Sequence, residues 1–207
     1  MFSPIVFAIG IVAQILFSGR MILQWILSER AKKVVSPSIF WILSIAGSYM
    51  LFIYGWIRDD FAIILGQIIS YYVYIWNLGI KGVWKNVNVI LRAILLITPV
   101  CAIGYMASDW SYHSTRLFHN SDIPLWLLVY GSAGQIIFTL RFVYQWLYSA
   151  KRGESILPRG FWIISLTGSL IIISYAIYRQ DPVLILGQCT GAFVYTRNLL
   201  ILQKESK

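Results

Sequence analysis

The sequence QILFSGRMILQWILS at residues 14–28 returns as QIIFTLRFVYQWLYS at residues 135–149. The same offset of 121 residues aligns residues 10–80 with residues 131–201 without a gap, and 27 of the 71 aligned positions are identical. Many of the identical positions are polar, so a shared apolar bias does not account for the match. Self-similarity at a fixed offset indicates a duplicated structural unit, and we therefore expect two copies of one fold.

The composition of the chain predicts an integral membrane protein. Of its 207 residues, 58% are hydrophobic and 12% are charged, and the mean hydropathy is +0.71. Soluble domains carry about 25% charged residues, so this chain lacks the polar surface that a water-soluble protein needs. Soluble classes such as kinases, dehydrogenases and nucleases are excluded on this ground.

Apolar stretches divide the chain into seven predicted spanning helices, since such a helix needs about 20 mainly apolar residues. The stretches lie near residues 4–27, 38–57, 61–80, 87–107, 122–147, 159–178 and 182–203. Together with the duplication, they predict an all-α integral membrane protein in which two parallel three-helix bundles are joined by a linker helix. The predicted units are residues 1–86, the linker helix with an external connector at 87–121, and residues 122–207.

The basic residues are distributed unevenly between the predicted loops. The loops after the first, third, fifth and seventh helices contain Arg30, Lys32, Lys33, Lys81, Lys85, Lys151, Arg152, Arg159, Lys204 and Lys207. The opposite loops contain Arg58, Arg116 and Arg179. Because Lys and Arg are enriched in cytoplasmic loops, we expect the N-terminus outside and the C-terminus in the cytoplasm. Topology thereby explains the net charge of +9, and no nucleic-acid partner is predicted.

Two arginines occupy corresponding positions inside predicted spans, Arg20 in the first repeat and Arg141 in the second. Charged side chains within a span usually face the bundle interior or a wet cavity. A guanidinium group matches phosphate oxygens bidentately, so the two arginines are candidate ligands for an anionic substrate. The alternative is that both snorkel to headgroups or cap carbonyl groups of neighbouring helices.

Amide side chains within the spans are further candidate substrate ligands. The repeat pairs them as Gln14 with Gln135, Gln24 with Gln145, Gln67 with Gln188, and Asn77 with Asn198. In a membrane, amides either join helices or line a path for a hydroxylated substrate, and the two asparagines have helix capping as an alternative. Arg197 aligns with Trp76 and breaks the symmetry. It is either another ligand or a side chain that snorkels.

Charged residues at the external helix ends are candidates for a gate. They are Arg58, Asp60, Arg179 and Asp181. The alternative is a local ion pair or a helix cap, since Asp is favourable at a helix N-terminus. The sequence lacks the motifs of nucleophile-elbow hydrolases, P-loop proteins and zinc proteases. We therefore predict no enzymatic activity, no metal site and no cofactor.

Each repeat reads Gln-x2-Phe-x2-Arg-x3-Gln-Trp-x2-Ser, a basic loop, Pro-x2-Phe-Trp-x2-Ser-x2-Gly-Ser, and Arg-x-Asp-x5-Gly-Gln-x6-Tyr-x2-Asn. This pattern strongly resembles the lipid A biosynthesis N-terminal domain family, a small membrane domain sometimes joined to lipid-A-disaccharide synthase. The resemblance covers both repeats. The copies depart from each other at Glu29, which becomes Ala150, and at Phe61, which becomes Pro182.

The resemblance implies a relation to the PQ-loop, SWEET and SemiSWEET transporters, in which three-helix units pair to form a transport path. It also implies a lipid-linked sugar as cargo, through the family's association with lipid A and with polyprenyl-phosphate glycosyltransferases. We therefore expect a flippase for an undecaprenyl-phosphate-linked sugar in the bacterial inner membrane, in contact with membrane lipids and with such a glycosyltransferase. The alternatives are a transporter of a free sugar and a membrane scaffold that recruits the glycosyltransferase.

Overall fold

The computed structural model describes residues 4–57, 61–108, 124–178, 180 and 182–205. Within these ranges the chain is helical and contains no β-strand, which confirms the all-α prediction. In chain order the elements are α1 (Pro4–Ala31), α2 (Ser38–Ile57), α3 (Phe61–Ile80), a short 3-10 helix (Val83–Asn86), α4 (Val89–Ser108), α5 (Leu125–Arg152), α6 (Arg159–Tyr178) and α7 (Pro182–Glu205). These seven α-helices lie close to the predicted stretches.

The first helix of each repeat extends further than the apolar pattern predicts. The predicted stretches end at residues 27 and 147, whereas α1 ends at Ala31 and α5 at Arg152. A helix does not need apolar side chains to continue, and its end is set by the backbone. Both helices end at a residue with left-handed dihedrals, Lys32 with φ 52° and Gly153 with φ 67°. Glu29 and the first basic residues therefore belong to the last helical turns.

The repeats associate through their outer helices. Within the first repeat α2 contacts α1 and α3, and within the second repeat α6 contacts α5 and α7. Between the repeats, α1 contacts α7 and α3 contacts α5. The linker helix α4 lies against the first repeat, where the Tyr72 hydroxyl donates to the Leu96 carbonyl oxygen at 3.2 Å.

Repeated aromatic residues form the core of both bundles. Phe40 and Trp41 begin α2, are fully buried, and pack edge to face with ring centroids 4.8 Å apart. Phe161 and Trp162 on α6 make the same contact, also at 4.8 Å. One cluster of buried residues joins these aromatic residues across the two repeats, so the halves share a core.

Two helical segments are long and apolar enough to cross a membrane, residues Ala8–Ala31 and α6. The apolar stretches Ser38–Tyr54 and Val89–Tyr105 are shorter. Large apolar side chains are exposed along the helices, for instance Ile15 at 64% and Ile90 at 71%. Exposed apolar surface of this kind indicates contact with lipid or with a partner. The crossing of a membrane by all seven helices stays a prediction.

Candidate functional site

Amide side chains from the two repeats form two reciprocal pairs. Gln24 on α1 donates to Asn198 on α7 at 3.0 Å, and Asn198 donates back at 3.1 Å. Gln145 on α5 and Asn77 on α3 exchange the same two bonds at 3.0 Å each. All four side chains are fully buried. Because the 121-residue offset converts one pair into the other, the repeats are related by an approximate twofold axis. We call these four residues the amide layer.

The amide layer is also bonded within each repeat. Gln24 Nε2 lies 2.9 Å from Ser28 Oγ and 3.1 Å from the Val35 carbonyl oxygen. Gln145 makes the corresponding two contacts at 2.9 Å each. The two asparagines donate to the carbonyl four residues earlier in their helices, at 2.8 and 2.9 Å. These amides therefore join helices in this conformation rather than cap them, and their role as substrate ligands stays a prediction.

Two loops meet beside the amide layer and close this end of the molecule. Ser36 and Ser155 lie in the loops after α1 and α5, and their hydroxyl oxygens are 3.0 Å apart. Ser155 also donates to Asn77 Oδ1 at 2.6 Å. Each loop is held to its helix because Ser28 and Ser149 accept a loop backbone N–H at 3.1 Å. The contacts fix both loops against the amide layer.

The C-terminal ends of α1, α3, α5 and α7 meet at the amide layer, on the side where the sequence predicts the basic loops. We call this side the basic end. Of the basic residues that the sequence predicts on this side, the structure describes Arg30, Lys32, Lys33, Lys81, Lys85, Lys151, Arg152, Arg159 and Lys204. The four helix ends thus share one side, as predicted. The assignment of this side to the cytoplasm stays a prediction.

Arg20 is buried within the first repeat, with 4% of its surface exposed. Its Nη1 donates to Ser44 Oγ on α2 at 2.6 Å. The guanidinium carbon lies 4.4 Å from the centroid of the Phe17 ring and 5.4 Å from that of Tyr74. Arg20 therefore points inward, which is not the geometry of a side chain that snorkels to headgroups.

Arg141 is equally buried, at 5% exposure, and more of its guanidinium nitrogens lack a hydrogen-bond partner. Its guanidinium carbon lies 3.3 Å from the Phe138 ring centroid and 5.9 Å from that of Tyr195. Nε and Nη1 are buried and have no hydrogen-bond partner. Ser44 and its counterpart Ser165 each donate to the carbonyl oxygen four residues earlier, but Ser44 also accepts a hydrogen bond from the arginine of its repeat. The repeat-related arginines therefore differ in how many of their guanidinium nitrogens have a hydrogen-bond partner.

The two guanidinium groups lie on one aromatic ring. The Phe142 centroid is 5.5 Å from the guanidinium carbon of Arg20 and 4.5 Å from that of Arg141. Neither arginine has an ion pair with a carboxylate among the residues that the structure describes. A buried charge without a counter-charge is costly. We call Arg20 and Arg141 the arginine pair, and its electrostatics favour an incoming anion.

The glutamines of the third helices differ between the repeats. Gln67 Oε1 accepts a hydrogen bond from Ser48 at 2.9 Å. In the second repeat, Ser169 donates instead to the backbone oxygen of Gln188 at 3.1 Å. Gln188 Oε1 is buried without a partner. The second repeat thus holds an unsatisfied acceptor as well as the unsatisfied donors of Arg141.

The glutamines of the first helices are partly buried. Gln14 Oε1 lies 3.5 Å from the place where a Cβ would stand at Gly187, so Gln14 faces α7 of the other repeat. Gln135 on α5 is half-buried. The position of Gln14 between the repeats agrees with its predicted place near the path, and its contact with a substrate stays a prediction.

Both arginines are buried, so the described residues leave no open path to the arginine pair in this conformation. Aromatic rings pack against both guanidinium groups. A cavity of about 10 Å³ lies instead beside Gln67, between Ser48, Tyr71 and Pro99. Such a volume holds about one water molecule and no sugar. The conformation is therefore closed around the arginine pair.

Arg197 is bound to Glu29 within the protein. Arg197 Nε donates to Glu29 Oε1 at 2.9 Å, a second guanidinium nitrogen contacts the same oxygen, and Trp25 Nε1 donates to it at 2.9 Å. Sequence reasoning did not identify Glu29 as its partner. The signal was present, because Glu29 and Arg197 are replaced together in the other copy by Ala150 and Trp76. The ion pair joins α1 to α7 at the basic end.

The predicted gate residues lie outside the described residues. They are Arg58, Asp60, Arg179 and Asp181. Their predicted role stays a prediction.

Comparison with known proteins identifies both repeats with one family. The model of the Lipid A Biosynthesis N-terminal domain matches residues 9–79 and again residues 130–200. The two matches are related by the offset found in the sequence, and together they cover more than half of the chain.

Curated relatives extend the similarity over nearly the whole chain. Lipid-A-disaccharide synthase of Chlamydia felis (strain Fe/C-56) is 30% identical over 213 residues, and that of Chlamydia caviae is 32% identical over 214 residues. Each alignment covers 98% of this chain and 34% of the relative, so the chain spans about a third of the relatives' length. No solved structure matches the chain significantly. With the family model matched at both repeats, the chain belongs to the Lipid A Biosynthesis N-terminal domain family.

Proposed function

We propose that this protein is a flippase that moves an undecaprenyl-phosphate-linked sugar across the bacterial inner membrane. The observation that carries the proposal is the burial of the arginine pair on one ring without a carboxylate among the described residues. A phosphodiester would supply the missing counter-charge, and guanidinium groups donate well to phosphate oxygens. Membership in a lipid A biosynthesis family favours a saccharide-bearing lipid as the cargo.

Contacts between the repeats suggest how the path opens. At the basic end it is closed by the amide layer and by the contact of Ser36 with Ser155. Opening requires these contacts to break while the helices within each repeat stay packed. The two bundles would then rock about the arginine pair, as in transporters built from parallel repeats. Amides near the path would hydrogen-bond the sugar; they are Gln14, Gln67, Gln135 and Gln188.

The proposed membrane placement has seven spans with the basic end in the cytoplasm. The exposed apolar side chains would face acyl chains, and the prenyl tail of the cargo would remain in lipid through a lateral opening. Basic residues at the end where α1, α3, α5 and α7 terminate favour this orientation. We propose a relation to SWEET-like transporters on the same three-helix architecture, and no catalytic role.

A flipping assay with charge-neutral arginine variants tests the proposal. The full chain is reconstituted in liposomes with a fluorescent polyprenyl-phosphate sugar, and a membrane-impermeant reductant reports the accessible fraction. We expect Arg20→Gln/Arg141→Gln to slow flipping at least about tenfold, because a hydrogen bond to a charged group contributes about 1.5–3 kcal/mol. Arg20→Lys/Arg141→Lys keeps the charge but loses the planar donor set, so an intermediate rate is expected.

The matched control is Arg30→Gln/Lys151→Gln. These exposed residues are also repeat-related and lie on the same two helices, so the control removes two positive charges at the basic end only. We expect it to flip the cargo at the wild-type rate. Wild-type flipping by a folded Arg20→Gln/Arg141→Gln variant would refute the phosphate role. If that variant also moved a free sugar, the alternative of a free-sugar transporter would be favoured.

A second candidate is a scaffold that recruits a polyprenyl-phosphate glycosyltransferase through residues 29–33 and 151–154. Exposed basic residues in both segments favour it, as does the similarity to about a third of a longer synthase. Reversing those charges should then abolish binding of the glycosyltransferase and leave reconstituted flipping unchanged. Loss of flipping in the arginine variant with recruitment intact would favour the flippase.

A further inference from the structure

The arginine pair carries more positive charge than one phosphodiester can neutralise. Arg20 and Arg141 share the Phe142 ring, and the distances to that ring limit the separation of their guanidinium carbons. Both are at most 5% exposed and lack a carboxylate partner among the described residues. A phosphodiester has one negative charge, whereas a phosphate monoester has nearly two above its second pKa of about 6. The site is therefore better matched in charge to a monoester.

The two arginines also differ in how many of their nitrogens are free to bind an anion. Arg20 already donates to Ser44 at 2.6 Å, and Nε is its buried nitrogen without a partner. Arg141 has two such nitrogens, Nε and Nη1. The more highly charged oxygens of a monoester accept stronger hydrogen bonds from these donors than the oxygens of a diester. Arg141 is the side of the site where this difference should be largest.

We propose that the arginine pair also binds the phosphate monoester of the free polyprenyl carrier, more tightly than the sugar-linked diester, so that one path exports the sugar and returns the carrier. This inference rests on the proposed function. The monoester is what a glycosyl transfer on the far side leaves behind. The bond between the anomeric carbon and the phosphate oxygen breaks, the sugar joins an acceptor oxygen, and the proton of the acceptor passes to solvent.

A pH series with two short-chain probes tests the inference. Farnesyl phosphate is the monoester probe, and farnesyl methyl phosphate is the diester probe that has one charge at every pH used. Binding to the full chain in nanodiscs of zwitterionic lipid is measured by calorimetry at pH 5 and pH 8. We expect monoester affinity to rise at least about fivefold over this range through added Coulomb attraction. We expect diester affinity to stay constant.

The ratio of the two affinities separates titration of the probe from titration of the protein. The titratable side chains that face the arginine pair are Tyr74 on α3 and Tyr195 on α7. Any other titration in the protein would act on both probes. Arg141→Gln should remove most of the pH dependence of the ratio, and the surface control Arg30→Gln/Lys151→Gln should leave it intact.

The outcomes also distinguish this inference from the flippase proposal. A ratio that rises with pH in the wild type and is flattened by Arg141→Gln supports the inference. A ratio that does not change with pH, or equal affinities at pH 8, overturns it even if the sugar-linked diester is flipped. Absence of diester flipping, with the pH-dependent ratio present, refutes the flippase instead and leaves a binding site for polyprenyl phosphate.

Discussion

The interface between the repeats and the surroundings of the two arginines have diverged to different extents. At the interface, Gln24 with Asn198 and Gln145 with Asn77 make the same reciprocal bonds to within 0.1 Å. Around the arginines, the Arg20 contact with Ser44 has no counterpart at Arg141. An approximate twofold thus holds in the amide layer and is broken where we place the cargo.

Divergence of this kind suits an asymmetric substrate. A lipid-linked sugar has a different group at each end of its phosphate, so an exactly symmetric site would bind both orientations equally. Phe142 contacts both arginines and occupies the position that is Met21 in the first repeat. Arg141 has two unsatisfied nitrogens where Arg20 has one, and Gln188 Oε1 is unsatisfied whereas Gln67 Oε1 accepts a hydrogen bond. We therefore expect the second repeat to make the stronger hydrogen bonds to the cargo.

A close approach of one helix to the backbone of another offers the largest effect on stability. Gly47 and Gly168 are repeat-related, yet a Cβ at Gly168 would stand 2.8 Å from the backbone of Phe138, whereas one at Gly47 would stand 3.3 Å from the Phe17 ring. We expect Gly168→Ala to lower the free energy of unfolding by about 1–3 kcal/mol through overpacking. Gly47→Ala should change it little, because the higher helix propensity of Ala, about 1 kcal/mol, offsets mild crowding.

Thermal unfolding in detergent, followed by circular dichroism, compares these two alanine variants. Equal losses for both would show that α5 and α6 approach no more closely than α1 and α2. That result would contradict a tighter second repeat.

An effect of similar size is expected from the amide layer. Gln145→Leu leaves Asn77 buried without its reciprocal partner, and Gln24→Leu does the same to Asn198. Each should cost about 1–3 kcal/mol of unfolding free energy, since an unsatisfied buried group is penalised by that amount. The loss should be larger for Gln24→Leu, because Asn77 keeps a hydrogen bond from Ser155, whose counterpart in the first repeat is Val34.

The double-mutant cycle of Gln145→Leu with Asn77→Leu is the control. The double variant should lose less than the sum of the two single variants, because no polar atom is then left unpaired. Additive losses would mean that the reciprocal bonds contribute nothing specific, and equal losses for Gln24→Leu and Gln145→Leu would mean that the bond from Ser155 to Asn77 adds no stability.

The helices were predictable because apolar runs and charged loops are local properties of the chain. The ends of α1 and α5 were missed because they depend on backbone dihedrals at Lys32 and Gly153, which hydropathy does not report. The burial of Arg20 and Arg141 could not be decided from depth alone. It depends on rings contributed by other helices, including Phe142, which both arginines contact.

The hydrogen bonds of the amide layer could not be predicted from the sequence, for a related reason. Repetition shows that Gln24 and Asn77 have counterparts, but not that each pairs with the other repeat. Cross-pairing follows only once α1 contacts α7 and α3 contacts α5. The pairing of Glu29 with Arg197 was recoverable, since both are replaced together in the other copy. Paired departures between repeats are thus a signal of contact, as paired changes between sequences are.

The smallest effect on stability is expected when Glu29 and Arg197 are replaced by the residues found in the other copy. At one corner of the basic end, Glu29 and Arg197 join α1 to α7. The double variant Glu29→Ala/Arg197→Trp gives this corner the residues of its counterpart in the other copy, Ala150 and Trp76. The ion pair lies at a surface where its partners are 38% and 35% exposed, and such pairs add little to stability. We expect the double variant to fold with nearly unchanged thermal stability. Glu29→Ala alone should lose more, because Arg197 is left without its carboxylate.

The same variants test whether this corner contributes to the polarity of transport. Since the ion pair holds α1 to α7 and nothing comparable holds α5 to α3 at this position, the two sides of the basic end should open unequally. Flipping rates are measured for Glu29→Ala/Arg197→Trp from either leaflet and compared with wild type. A direction-dependent change would assign polarity to the corner, whereas an unchanged ratio would confine the functional asymmetry to Arg141, Phe142 and Gln188.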